Sequence, residues 1–153
     1  MRKLFGLAIL IGLCGVFCAS TSKAQWAFGA RTGVYTDDSA LFVGAEFLTP
    51  MGSGGWKFSP NLEWAFVNNG NLFTLNADFT YDLTSTKSLD FWAGGGPALV
   101  YRSRDRGDDE VDPGLNLVGG IGFLRDRSIR PYFLAKILIS DSSQAVLGFG
   151  VRF

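Results

Sequence analysis

The sequence predicts an all-β fold, an eight-stranded antiparallel up-and-down transmembrane β-barrel, and three observations carry that prediction. Period-2 alternation recurs eight times between turn signals, with no helical stripe after residue 24. Every charged residue of those segments falls in one phase, and none falls in the other, which carries bulky apolar side chains on every strand. The closing stretch alternates to its last residue, with Ala145, Leu147, Phe149, Val151 and Phe153 in one phase, an ending typical of membrane barrels and without purpose in a soluble protein.

At the N-terminus, Arg2 and Lys3 precede an apolar run from Leu4 to Cys18, and Ser22-Lys23-Ala24 places small residues where a signal peptidase reads. Residues 1–24 are therefore expected to be a cleaved secretory signal. Its apolar core is shorter than the roughly 20 residues a membrane-spanning helix needs. Cys14 and Cys18 both lie within it, and Leu13 and Phe17 precede them where a lipidation site needs a small residue, so the mature chain is expected to carry no cysteine chemistry. Loss of Arg2, Lys3 and Lys23 leaves 11 basic against 14 acidic residues, a net charge near −3 that argues against nucleic acid as a partner. Residues 25–153 suit one domain, and 20 Gly with 14 Phe in the whole chain favour aromatic-rich strands.

The eight strands are expected at 25–35, 40–49, 56–67, 72–83, 89–102, 114–124, 129–139 and 145–153. The first opens on Trp26 and carries Gly29, Arg31 and Gly33 in its charged phase; the second carries Gly44 and Glu46. In the third, Trp56, Phe58, Pro60, Leu62, Trp64 and Phe66 alternate with Lys57, Ser59, Asn61, Glu63, Ala65 and Val67. The fourth sets Phe73, Leu75, Ala77, Phe79, Tyr81 and Leu83 against Thr74, Asn76, Asp78, Thr80 and Asp82. Asp90, Gly94, Gly96 and Arg102 share the charged phase of the fifth, which Tyr101 closes; Gly120 and Gly122 mark that phase in the sixth, and Arg130 and Lys136 in the seventh. In the eighth it holds Gly148, Gly150 and Arg152. The connections are rich in Gly, Asn, Asp and Ser, as at Thr36-Asp37-Asp38-Ser39, Gly52-Ser53-Gly54-Gly55 and Asn68-Asn69-Gly70-Asn71, and their shortness implies a meander of antiparallel neighbours. Pro60, Pro97 and Pro131 each delete a ladder hydrogen bond, and Gly94-Gly95-Gly96 predicts a bulge near Pro97.

Parity alone does not say which phase points inward, since a soluble exported barrel that binds a ligand would enclose the apolar one. Glycine decides. Nine strand glycines lie in the charged phase, against Gly95 and Gly119 in the apolar one. A solvated face needs no small residues, whereas the inside of an eight-stranded barrel must mix small with large. The charged phase is thus expected inside and the apolar phase against lipid. Strands of about 9–11 residues tilted near 45° cross a bilayer, and closure satisfies every backbone group. Trp26, Trp56 and Tyr101 fall where interfacial aromatic girdles are expected.

On these segments, the signal and the closing Gly148-Phe149-Gly150-Val151-Arg152-Phe153, the chain resembles the small outer-membrane barrels of the OmpA and OmpX type over residues 25–153. The resemblance implies a bacterial outer-membrane location, with periplasmic termini and the odd-to-even loops outside. It also implies contact with outer-membrane lipid and lipopolysaccharide, and assembly by machinery that reads Phe149, Val151 and Phe153 in the last strand.

The chain has no histidine, the usual assistant of Ser or Asp in membrane-barrel hydrolases. Glu46, Glu63 and Asp78 are candidates for acid–base work, but they share a phase with Arg31, Lys57, Arg102, Arg130, Lys136 and Arg152, and the preferred reading is a salt-bridged lumenal plug. No enzyme activity, cofactor or metal is expected. The outer loop 103–113 is the candidate for an extracellular ligand. Its Arg106-Gly107-Asp108 is read as a chance tripeptide, its acids Asp105, Asp108, Asp109, Glu110 and Asp112 as a solvated run rather than a calcium loop, and its Arg104 and Arg106, with Arg102 at the end of the fifth strand, as candidate contacts to anionic head groups. The sequence favours a structural or surface-interaction barrel, with a narrow porin-like pore or a path for small hydrophobic compounds as the alternative.

Overall fold

In a computed structural model, residues 26–68, 70–86, 88–104, 109–124 and 127–153 are described. The expected signal segment and the tripeptide 106–108 lie outside these residues. The described chain forms β1 (Ala27–Tyr35), β2 (Ala40–Met51), β3 (Trp56–Val67), β4 (Gly70–Ser85), β5 (Leu89–Arg104), β6 (Glu110–Phe123), β7 (Arg130–Ile139) and β8 (Gln144–Arg152). Each strand pairs antiparallel with the next, and β1 pairs with β8 to close the barrel. A path along paired residues from Tyr35 through Val146, Lys136, Val118, Gly94, Thr80 and Lys57 to Pro50 returns to β1 level with residue 25, ten residues from its start. That stagger goes with steeply tilted strands and a lumen only wide enough for side chains.

Two expectations change. The loop 103–113 is largely strand: Arg102 pairs with Glu110 and Leu99 with Pro113, so the β5–β6 hairpin stands further out and its connection shortens to residues 105–109. Polar composition masked this extension because both strands there carry charge on a solvated rim. The bulge expected at Pro97 is absent too. The register is the same on both sides, from Asn76 opposite Ala98 to Phe79 opposite Gly95, and the shift in this ladder falls between Asp82 and Thr84. The glycine run has another cause: a Cβ at Gly94, Gly95 or Gly96 would strike the neighbouring backbone at Phe79, Asn116 or Ala77 respectively.

Outside, the apolar phase is exposed on every strand, from Phe28 (66%) on β1 to Leu147 (54%) on β8. Aromatic pairs form two levels. Trp56–Tyr81 and Phe58–Phe79, with centroids 5.2 and 5.0 Å apart, lie toward the end that carries both termini. Trp64 stacks on Phe73 at 5.4 Å toward the other, with Pro60, Leu62, Leu75 and Ala77 between. Trp56 and Phe66 are ten residues apart on β3, about 33 Å at ~3.3 Å per residue. A tilt of about 40° projects this to about 25 Å, the height of a lipid-facing band between aromatic girdles.

Candidate functional site

The strand alternation that puts these rings outside turns the other phase into a narrow lumen, where several large side chains have a glycine opposite. Gly44 lies across from both Arg31 and Glu63, Gly120 from Trp92, and Gly150 from Tyr132; a Cβ at Gly44 would crowd Glu63, and one at Gly120 or Gly150 would enter the facing ring. Glycine thus makes room for the charges.

Glu63 is the centre of the arrangement and is fully buried. Its Oε1 meets Arg31 Nη2 at 2.7 Å, and its Oε2 meets Lys136 Nζ at 2.5 Å. Tyr35 donates its hydroxyl to Oε2 at 2.5 Å, and Thr74 donates at 3.2 Å. Arg31 also donates to Asn61 Oδ1 and lies 3.8 Å from Glu46. Glu46 in turn holds Arg152, Nε to Oε1 at 2.6 Å. Asp78 joins through amides, accepting from Asn61 Nδ2 at 2.8 Å and from Asn116 Nδ2 at 3.1 Å. Arg31, Lys136 and Arg152 therefore face Glu46, Glu63 and Asp78 in equal number. The pairs reach across the lumen rather than along one ladder, β3 to β7 through Glu63–Lys136 and β2 to β8 through Glu46–Arg152. Buried charge at this density is tolerable only because each group has a counter-charge or several hydrogen bonds.

The other three residues of the expected network stand apart from this cluster. Lys57 bridges Asp82 at 2.7 Å toward the termini. Arg102 turns into the opposite mouth, 3.7 Å from Asp38 and donating to Ser142 Oγ at 3.2 Å, so it does not reach outward to lipid head groups. Arg130 lines a cavity at the terminal end. On the exposed rim Arg104 pairs with Glu110 at 3.2 Å, and Tyr101 donates to Asp109 at 2.6 Å, which holds that carboxyl below the usual carboxylate range.

Sequence reasoning missed two apolar layers in the same lumen. Beyond Glu63, away from the termini, Tyr35, Phe42, Leu72, Val100, Leu138 and Val146 form a buried collar with small residues between them. On the other side of the ion pairs, Trp92, Val118, Tyr132 and Leu134 pack together, and the Arg152 guanidinium lies over Tyr132 (4.3 Å) and Trp92 (5.2 Å). The signal was available: Phe42 shares parity with Glu46, Leu72 with Asp78, and Leu138 with Lys136. An apolar residue in a charged phase reads as noise until closure fixes that phase as an interior.

The carboxylates are poorly placed for acid–base chemistry. Their oxygens are occupied by cations, hydroxyls and amides, and none of Glu46, Glu63 and Asp78 lines the terminal-end cavity.

A filled, charged lumen inside an apolar exterior defines a class, the small eight-stranded barrel built inside out. Among solved structures, the N-terminal β-barrel domain of Pseudomonas aeruginosa OprF is similar, with a TM-score of 0.70, 15% identity, and coverage of 86% of this chain and 98% of that one. Neisserial surface protein A is similar at a TM-score of 0.62 and 14% identity, over 83% of this chain and 93% of its own. A de novo designed transmembrane β-barrel is similar at 0.59 and 12%, over 88% and 98%. At such identities the likeness is one of fold. No protein-family model matches the sequence, and no curated protein does.

Proposed function

We propose that this chain is a non-enzymatic integral protein of the bacterial outer membrane, exported by a cleaved signal, with a sealed lumen and a structural or surface-interaction role carried by its outer loops. The observation behind this reading is the inversion of burial: Glu63 is 0% exposed while Phe28, on the other face of the same wall, is 66% exposed. In water that distribution is unstable; in hydrocarbon it is the stable one. The likeness to OprF and to Neisserial surface protein A supports the address. In this orientation the termini are periplasmic, and lipopolysaccharide and any extracellular ligand meet the opposite rim, which among the described residues includes Ser103, Arg104 and residues 109–113. Membrane fractionation with a heat-shift gel tests it. The protein should resist carbonate extraction and migrate faster unboiled than boiled; identical migration together with carbonate release would establish a soluble barrel.

The lumen reading predicts electrical silence. Collar, ion pairs and the Trp92–Tyr132 layer are three successive seals, so purified protein should give no sustained conductance in planar bilayers, and Glu63→Gln should stay silent because two seals remain. Steps of nanosiemens size from the unaltered protein would establish the pore alternative.

Phe149, Val151 and Phe153 lie on the lipid side of β8 and its end, where the assembly machinery would read them. Phe153 is 62% exposed and is held mainly by its backbone N–H donating to Phe28 O at 2.8 Å. Phe153→Asp should cost only about 0–1 kcal/mol in refolding, as for a charge near the interface. Assembly in cells should fall much further. Equal losses in the two assays would mean the ring acts through packing alone.

A further inference from the structure

The seals stop short of the terminal end, where the barrel opens into a cavity of about 660 Å³. Among the described residues its wall carries Lys57, Arg127, Arg130 and Arg152 against one acid, Asp90, in a chain whose barrel segment is acidic overall. These cations converge from separate elements: the start of β3, the β6–β7 connection, the start of β7 and the end of β8. The Tyr132 ring, which lies against the Arg152 guanidinium, lines the same cavity. We propose that this mouth is a binding site for a small ligand bearing carboxylate or phosphate groups, on the periplasmic side if the orientation above holds.

Lys57 is held by Asp82 and Arg152 by Glu46, so these two shape the field without leaving their places. Asp90 lies against Gly122 and is largely buried. Arg127 and Arg130 line the cavity from the β6–β7 connection and the start of β7, and the direct contacts are assigned to them. A guanidinium has five donors in a planar fork, so it can keep a protein partner while taking an oxyanion with two parallel hydrogen bonds. The cavity's size is within the range of small-molecule sites.

The test is a titration of the refolded full barrel in neutral detergent micelles, which needs no knowledge of membrane orientation. Citrate and pyrophosphate serve as carboxylate and phosphate probes and spermine as the cationic control, with amide shifts of Gly122, Arg130 and Tyr132 as the readout. Saturable shifts at these amides with either anion, absent with spermine, support the site, and the stronger of the two identifies the oxyanion class. Arg127→Gln with Arg130→Gln should weaken binding at least tenfold while the heat-shifted form persists on gels. No shift up to 10 mM of either probe, or undiminished binding in the double variant, would overturn the proposal. Neither result depends on where the protein resides in the cell.

Discussion

Glu63→Ala should destabilise the barrel by roughly 3–5 kcal/mol, the range for removing one partner of a buried ion pair. The cost comes less from the lost attraction than from what stays behind. Arg31 and Lys136, both buried, would face each other across the space the carboxylate filled, and the Tyr35 hydroxyl would lose its acceptor at 2.5 Å. A net stability of about 5–15 kcal/mol makes this a large fraction of the whole. The exposed pair Arg104–Glu110 is the control: its side chains are about half exposed, and Glu110→Ala should cost no more than about 1 kcal/mol. Urea unfolding in detergent or lipid vesicles, followed by the heat-shifted band, measures both. The cause can be separated from cavity formation by adding Lys136→Met to Glu63→Ala. Removing the stranded cation should recover part of the loss, whereas a purely steric effect would leave the double variant at least as unstable as the single one. A Glu63→Ala variant as stable as the parent would mean that water, not protein, solvates these charges.

What could be read in the sequence follows from which facts are local. The period of two is local, so β3 was placed at residues 56–67 without error and β1, β7 and β8 within two residues of their ends. The direction of the charged phase came from glycine, which reports how much room a side has, and the facing of Gly44 by Arg31 and Glu63 gives the reason. Partner choice is not local. Glu63 and Lys136 are 73 residues apart, on strands four registers from each other in either direction around the barrel, so a list of charges in one phase does not separate the central six from Lys57, Arg102 and Arg130 at the ends. The height of each charge in the barrel depends on the stagger of ten, which no single strand encodes. Strand length at the rim was misread for a related reason. Glu110 to Pro113 pair with β5, but they stand above the lipid band, where alternation is no longer enforced.

The second large effect is expected at the glycine run of β5, where alanine should behave quite differently from the same substitution at Gly119 on β6. Gly96→Ala introduces a methyl group against the backbone of Ala77 and Asp78 on β4. A flexible side chain could move aside, but a paired strand cannot, so the ladder must separate or β5 must twist. Overpacking of this kind costs typically about 1–3 kcal/mol, and the upper end is expected because backbone is the obstacle. Gly94→Ala meets Phe79 and Thr80 in the same way. Gly119→Ala on β6 is the matched control, since a Cβ there finds its nearest neighbour, the Trp92 carbonyl oxygen, at an ordinary 3.6 Å. It should be neutral or stabilising by about 0.4–1 kcal/mol through a less free unfolded chain. Denaturant midpoints for the three variants would decide the matter, with Gly119→Ala reporting how much of any change is due to alanine itself. If Gly96→Ala matched Gly119→Ala, the close approach of β4 and β5 would be wrong, and the bulge expected from Gly94-Gly95-Gly96-Pro97 would return as the better description of that wall.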